Sequence, residues 1–179
     1  GFAYGQYKAY YNEGFYNTPE EVANHPYNAI DGNRVQGGDL RIVDVNGDGI
    51  TELPRAVLMA GYKDTSSSDA VYMLDWYAYG IGKVPTKVAT TYQNISDAWS
   101  LLIDQKWHDR ITAIKANDGG LSYVEFFEYR KNKMSIPLFN IYCATGSNRE
   151  YYAERTDLIQ LGQTTQVIYF AKLTNEGEQ

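Results

Sequence analysis

Residues 40–62 read LRIVDVNGDGITELPRAVLMAGY, and their reading decides the fold. Three carboxylates (Asp44, Asp48, Glu52) and one amide (Asn46) crowd one short loop, with Gly47 and Gly49 among them. Leu40–Asp44 before the loop is a short apolar strand. After it, ELPRAVLMAGY returns as a second strand, and Pro54 near its beginning fits a strand start or an edge. Strand, acidic loop, strand is the local unit from which the rest of the chain is read.

Like charges this close repel unless something positive sits among them. Counted from Asp44 as position 1, Asn46 is position 3, Asp48 position 5, Gly49 position 6, Ile50 position 7 and Glu52 position 9. Calcium is a hard cation that takes six to eight oxygens at about 2.3–2.6 Å. Side chains at positions 1, 3 and 5 converge on one point if the backbone curls, and Gly49 allows the sharp turn. The carbonyl of Ile50 is expected to point inward, with its side chain packing in the core, and Glu52 to close the far side. Magnesium prefers a stricter octahedron with several waters and fits less well. An EF-hand needs Glu at position 12, where this chain has Arg55, and it needs flanking helices. A dockerin needs an acid at position 12 and a second copy, and neither is here. The competing reading is an Asn-Gly/Asp-Gly turn with no ion, but a bare turn needs neither Asp44 nor Glu52.

The pattern strand–DxNxDGxxE–Leu–strand resembles the calcium loop of FG-GAP or VCBS-type repeats, as in integrin-α-like propellers. The resemblance covers about residues 40–60. It implies an ion that braces a hairpin between two strands of a blade, held by Asp44, Asn46, Asp48, the Ile50 carbonyl and Glu52. No second copy is found, which departs from integrin-like arrays. The YxYxxGK hairpin also looks like those of exported lipoproteins of gut bacteria, a looser and less specific likeness.

Beyond the loop, the expected fold is mainly β: antiparallel, meander- or propeller-blade-like sheets with a few short helices. The chain reads as a single domain over 1–179, with a mixed helix and loop segment at 1–39, a β-rich body at 40–173 and a polar tail at 174–179. YNTPEEVANH reads as a helix start, with Thr18 as N-cap, Pro19 at N1 and Glu21 closing a capping box. Residues 24–38 are rich in turn formers. VYMLDWYAY, VPTKVATTY, RITAIKA, LSYVEFFEY, MSIPLFNIYCA and TQVIYFAKL read as strands. SDAWSLLIDQKW breaks that pattern and suits a short helix capped by Ser96, while REYYAERTDLIQLG is ambiguous. DWYAYGIGKV aligns with EFFEYRKNKM, matching Trp76 to Phe126. A period near fifty residues falls in the range of propeller blades, though two ordinary hairpins read the same way. The expected core is Ile42, Val43, Leu53, Val57, Leu58, Val71, Met73, Trp76, Ile111, Ile114, Val124, Phe126, Ile141 and Ile168.

The net charge of −6 and the lack of a Lys/Arg cluster argue against nucleic acid or an anionic membrane as partner. No apolar run approaches the roughly 18 residues of a membrane span. The single cysteine, Cys143, excludes an internal disulfide and a Cys-pair zinc site, and reads as a small core residue. Gly1 in place of Met suggests a trimmed start, from which an export signal would have been removed. Seventeen tyrosines suit half-buried strands, and also surfaces that bind sugars or proteins. A carbohydrate- or protein-binding module would use Trp76, Trp99, Trp107 and the Tyr-rich strands as an exposed row. A glycoside-active enzyme would need a carboxylate pair, for which Glu125, Glu128, Asp75 and Asp104 are the acids near aromatic segments. His108 beside Asp109 does not make a dyad, since strand neighbours point to opposite faces. There is no G-x-S-x-G, HExxH or phosphate loop. The expectation is a non-catalytic extracytoplasmic domain, secreted or lipid-anchored at the cell surface, with one structural calcium ion.

Overall fold

The computed structural model describes residues 43–62, 70–78, 84–118, 121–130 and 133–175. The expected helix start at Thr18, the loop at 24–38, the strand residues before Val43 and the expected core residue Ile42 lie outside them. The described chain is mainly β and contains two antiparallel sheets. It divides into two compact units. One comprises residues 43–58, 70–78 and 84–108, the other residues 59–62, 109–118, 121–130 and 133–175.

The first unit is a four-stranded meander. β1 (Leu53–Leu58), β2 (Tyr72–Ala78), β3 (Thr86–Asn94) and β4 (Trp99–Leu102) lie in the order β1-β2-β3-β4. Leu53 opposite Tyr77 and Leu58 opposite Tyr72 set the first register. Among the described residues β1 is an edge strand of this sheet, a place where a strand proline such as Pro54 is tolerated. Along β2, Met73, Leu74, Asp75 and Trp76 are all buried, so both faces of the strand are covered. Leu74 and Trp76 form one core cluster, packed by Val45, Ala56, Val88 and Ala89.

The second unit is a five-stranded sheet. β5 (Ile111–Asp118), β6 (Leu121–Arg130), β7 (Lys133–Thr145), β8 (Ile159–Gln163) and β9 (Val167–Leu173) lie in the order β5-β6-β7-β9-β8. The stretch that reads ambiguously from sequence is helix α1 (Arg149–Ala153), a turn, and β8. Tyr152 of α1 and Leu158 cover the cluster of Leu121, Ala144, Ile168 and Phe170. Cys143 is buried, as a small core residue should be.

The two aligned hairpins share a detail beyond residue types. The β2–β3 register shifts between Trp76 and Tyr77, and the β6–β7 register shifts between Phe126 and Phe127. These are equivalent steps of the repeat. A bulge bends its strand and raises the local twist. In both hairpins it follows a fully buried aromatic, Trp76 at 1% exposure and Phe126 at 0%.

Two expectations need correction. The helix over SDAWSLLIDQKW is absent: Ile95–Ala98 is a turn and Trp99–Leu102 is β4, paired with β3 from Asn94↔Trp99 to Thr91↔Leu102. The Ser96 hydroxyl donates back to Asn94 Oδ1 at 2.7 Å, and the Asn94 amide donates to Asp97 Oδ2 at 2.7 Å. These side chains tie a turn, with Ala98 at φ 56°, and the strand pairing it permits overrides local helix propensity. The helical remnant is a 3-10 turn at Gln105–Trp107, capped by Asp104. The core also differs: Val43 is 38% exposed in an isolated bridge with Glu52, while Val57, Leu58, Val71 and Ile114 are half-buried. Leu53, Met73, Trp76, Ile111, Val124, Phe126, Ile141 and Ile168 are buried as expected. Met59, Leu74, Tyr92 and Phe170 join them.

Candidate metal centre

The acidic loop runs from the Val43–Glu52 bridge, where the Glu52 N–H donates to the Val43 carbonyl at 2.9 Å. Backbone donors organise the loop around Asp44. Asp44 Oδ1 accepts from the N–H groups of Gly47 (2.7 Å) and Asp48 (3.1 Å), and Oδ2 accepts from that of Gly49 (2.8 Å). The Gly49 N–H is the first cause holding the Asp44 carboxyl below its ordinary range, and those of Gly47 and Asp48 add to it. Gly47 (φ 77°) and Gly49 (φ 83°) occupy the left-handed region that residues with a Cβ avoid. Asn46 Nδ2 donates to Asp48 Oδ2 at 2.9 Å, and Asp48 Oδ1 accepts the Ile50 N–H at 2.8 Å.

Glu52 closes the loop. Its side chain is fully buried at 0% exposure. Oε2 accepts the Val45 N–H at 2.8 Å, while Oε1, also buried, has no hydrogen-bond partner among the described residues. One carboxylate oxygen each from Asp44, Asp48 and Glu52 lie within 4.8 Å of one another. Among the described residues this is the one grouping of three or more metal-ligating side chains, and it could hold a metal ion. Asp44 and Asp48 are exposed, so the cluster is open to solvent on one side and buried at Glu52. The Ile50 side chain, expected in the core, is 50% exposed. Val45 takes that role by packing on Leu74 and Trp76. An alternating pattern does not say which loop side chain faces inward; the curl of the backbone decides it.

Of the other singled-out carboxylates, Asp75 and Asp104 lie in the first unit and Glu125 and Glu128 in the second. Asp104 caps the 3-10 turn through the Lys106 N–H. Glu125 stands on β6 opposite Ile114 and Asn140. Glu128 is buried and paired with Arg110 and with Arg130, the latter at 2.7 Å. The Arg130 hydrogen bond, then that of Arg110, holds its carboxyl below the ordinary range. A depressed folded-state pKa stabilises the fold above the unfolded value near 4.5, and that stability is lost as pH falls below it. Glu128→Gln is therefore expected to lower stability by on the order of 1 kcal/mol at pH 7, a modest figure because both arginines are half-exposed and screened. The gap between the variant and the wild type should narrow as the pH falls from about 7 below the unfolded value and on through the depressed folded one. Urea midpoints along an acid series check this, and a gap independent of pH would contradict it.

Asp75 has the partner that sequence spacing hides. His108 Nε2 lies 3.0 and 3.1 Å from its two carboxylate oxygens, Thr90 Oγ1 donates to Oδ1 at 2.6 Å, and Lys87 Nζ is 3.5 Å away. His108 thus engages a residue 33 positions away along the chain. No local sequence signal points to this contact; the β2–β3 register sets Asp75 opposite Thr90. Trp76 is buried and its Nε1 donates to Thr91 Oγ1 at 2.8 Å, which removes it from any exposed row of indoles.

Fold and loop together define a mainly β protein with an acidic loop able to hold a metal ion. No protein family matches the chain, and no curated protein or solved structure matches it significantly. Among the described residues no helix is long and apolar enough to cross a membrane.

Proposed function

We propose that this chain is a non-catalytic extracytoplasmic domain, secreted or lipid-anchored at a cell surface, whose loop binds one calcium ion for structure. The observation that carries the reading is Glu52 Oε1. A buried carboxylate oxygen without a donor is costly, and a cation among Asp44, Asp48 and Glu52 would satisfy it. Asn46 and the Ile50 carbonyl complete the proposed ligand set. All donors are hard oxygens on a short curled loop, which favours calcium over a soft or strictly octahedral metal. The bridge at one end of the loop and β1 at the other support an FG-GAP/VCBS-like strand–loop–strand.

The site lacks a bidentate twelfth position and is open on one side. Its affinity is accordingly expected on the order of 10⁻⁴–10⁻³ M, which extracellular calcium fills and cytosolic calcium does not. An ion that binds only the folded state stabilises it by RT ln(1 + [L]/Kd). At tenfold the Kd this is about 1.4 kcal/mol, or roughly 3–6 °C in Tm for a chain of this size. Thermal melting in EDTA and in millimolar calcium tests it. The wild type should gain that shift, Asp44→Ala should lose it, and Asp109→Ala should keep it. A wild-type Tm indifferent to calcium, with no calcium retained in equilibrium dialysis, would overturn the reading.

A further inference from the structure

We propose that the acidic loop is a cation-operated clasp: filling it seats Val45 on the core of the first sheet, and emptying it releases Val45. The inference rests on the cation reading above and goes beyond it, because a rigid site would bind the ion without moving anything. The loop is closed on itself at two places and packed on the sheet at a third. The Glu52 N–H holds the Val43 carbonyl at 2.9 Å, Glu52 Oε2 holds the Val45 N–H at 2.8 Å, and Val45 packs against Leu74 and Trp76. One side chain, Glu52, therefore serves two tasks. It supplies a carboxylate to the cluster and it anchors Val45. Without a cation, three carboxylate oxygens within 4.8 Å repel, and the fully buried Glu52 keeps one oxygen without a partner among the described residues. Moving Glu52 outward relieves both. The same movement breaks the bond to the Val45 N–H and frees Val45 from Trp76. The structure shows the closed arrangement.

The experiment uses the whole chain with calcium chloride or EDTA. Calcium binding is read by calorimetry, amide exchange at Val45 and Glu52 by NMR, and the Trp76 indole N–H, held by Thr91 Oγ1, by its own resonance. At tenfold the Kd, calcium should slow exchange at the Val45 amide about tenfold and shift the Trp76 indole signal. Val45→Ala should bind calcium within about threefold of the wild type while the Trp76 signal stops responding. Glu52→Gln removes the charge and leaves an oxygen for the Val45 N–H, so its Val45 amide should be protected in EDTA. Calorimetric binding with Val45, Glu52 and Trp76 all unchanged would overturn the clasp and leave the cation site standing. Absence of calorimetric binding would overturn the cation reading itself, and the clasp with it.

Discussion

Trp76→Ala is expected to cost about 3–5 kcal/mol, the range for deleting a fully buried large aromatic. Trp76 sits on β2 at 1% exposure and shares a cluster with Leu74. Val45, Ala56, Val88 and Ala89 surround that cluster, so loop, β1 and β3 all lose a packing surface at once. The substitution also leaves the Thr91 hydroxyl, in a residue 5% exposed, without the indole donor. Partial collapse of neighbours around the cavity sets where in the range the value falls. Trp76→Phe should cost markedly less, since it keeps a ring and loses mainly the Nε1 bond. Denaturant unfolding of the variants against the wild type measures both. An alanine variant less than about 1 kcal/mol below the wild type would show that this cluster does not organise the first sheet.

Asp75→Ala is expected to cost about 3 kcal/mol, at the lower end of the range for removing one member of a buried ion pair. The carboxylate receives His108, Thr90 and Lys87, so its loss takes a shared acceptor from three polar groups. Lys87 moderates the penalty, because its side chain is 25% exposed and can turn to solvent. His108 cannot do so as easily at 12%. The 3-10 turn that carries His108 should loosen, and hydrogen exchange over Gln105–Trp107 should rise more than exchange in β5. Asp75→Asn keeps the shape and one acceptor, and should fall between the alanine variant and the wild type. If Asp75→Ala matched the wild type in stability, the contact would be incidental to folding.

What is legible in the sequence is what is local. Alternating and short apolar runs place β1, β2, β3, β5, β6, β7 and β9, because a strand needs only a period of two and turn residues at its ends. The aspartate loop is legible for the same reason, since its carboxylates, amide and glycines lie within nine consecutive residues and the backbone closes on itself. The hairpin repeat was visible as residue types. The matching bulges at Trp76/Tyr77 and Phe126/Phe127 were not, because a register shift is a property of two strands together.

SDAWSLLIDQKW marks the boundary. Its composition favours a helix taken alone, yet Asn94, Ser96 and Asp97 tie a turn and the backbone of β3 takes the following residues as β4. The hairpin ladder satisfies the backbone donors and acceptors as completely as a short helix does, and it also sets the Trp99 ring 5.5 Å from that of Tyr92. Likewise Asp75 and His108, 33 residues apart, meet only because β2 presents the carboxylate on the face where the 3-10 turn lies. By itself the sequence settled the β class, the strands β1, β2, β3, β5, β6, β7 and β9 and the acids of the loop, all of which depend on side chains close along the chain. Tertiary structure alone decided the division into two sheets, the burial of Glu52 with an oxygen left over, and the choice of Val45 over Ile50 as the residue facing the core. Each of these depends on which distant surfaces come together and on how much water they exclude.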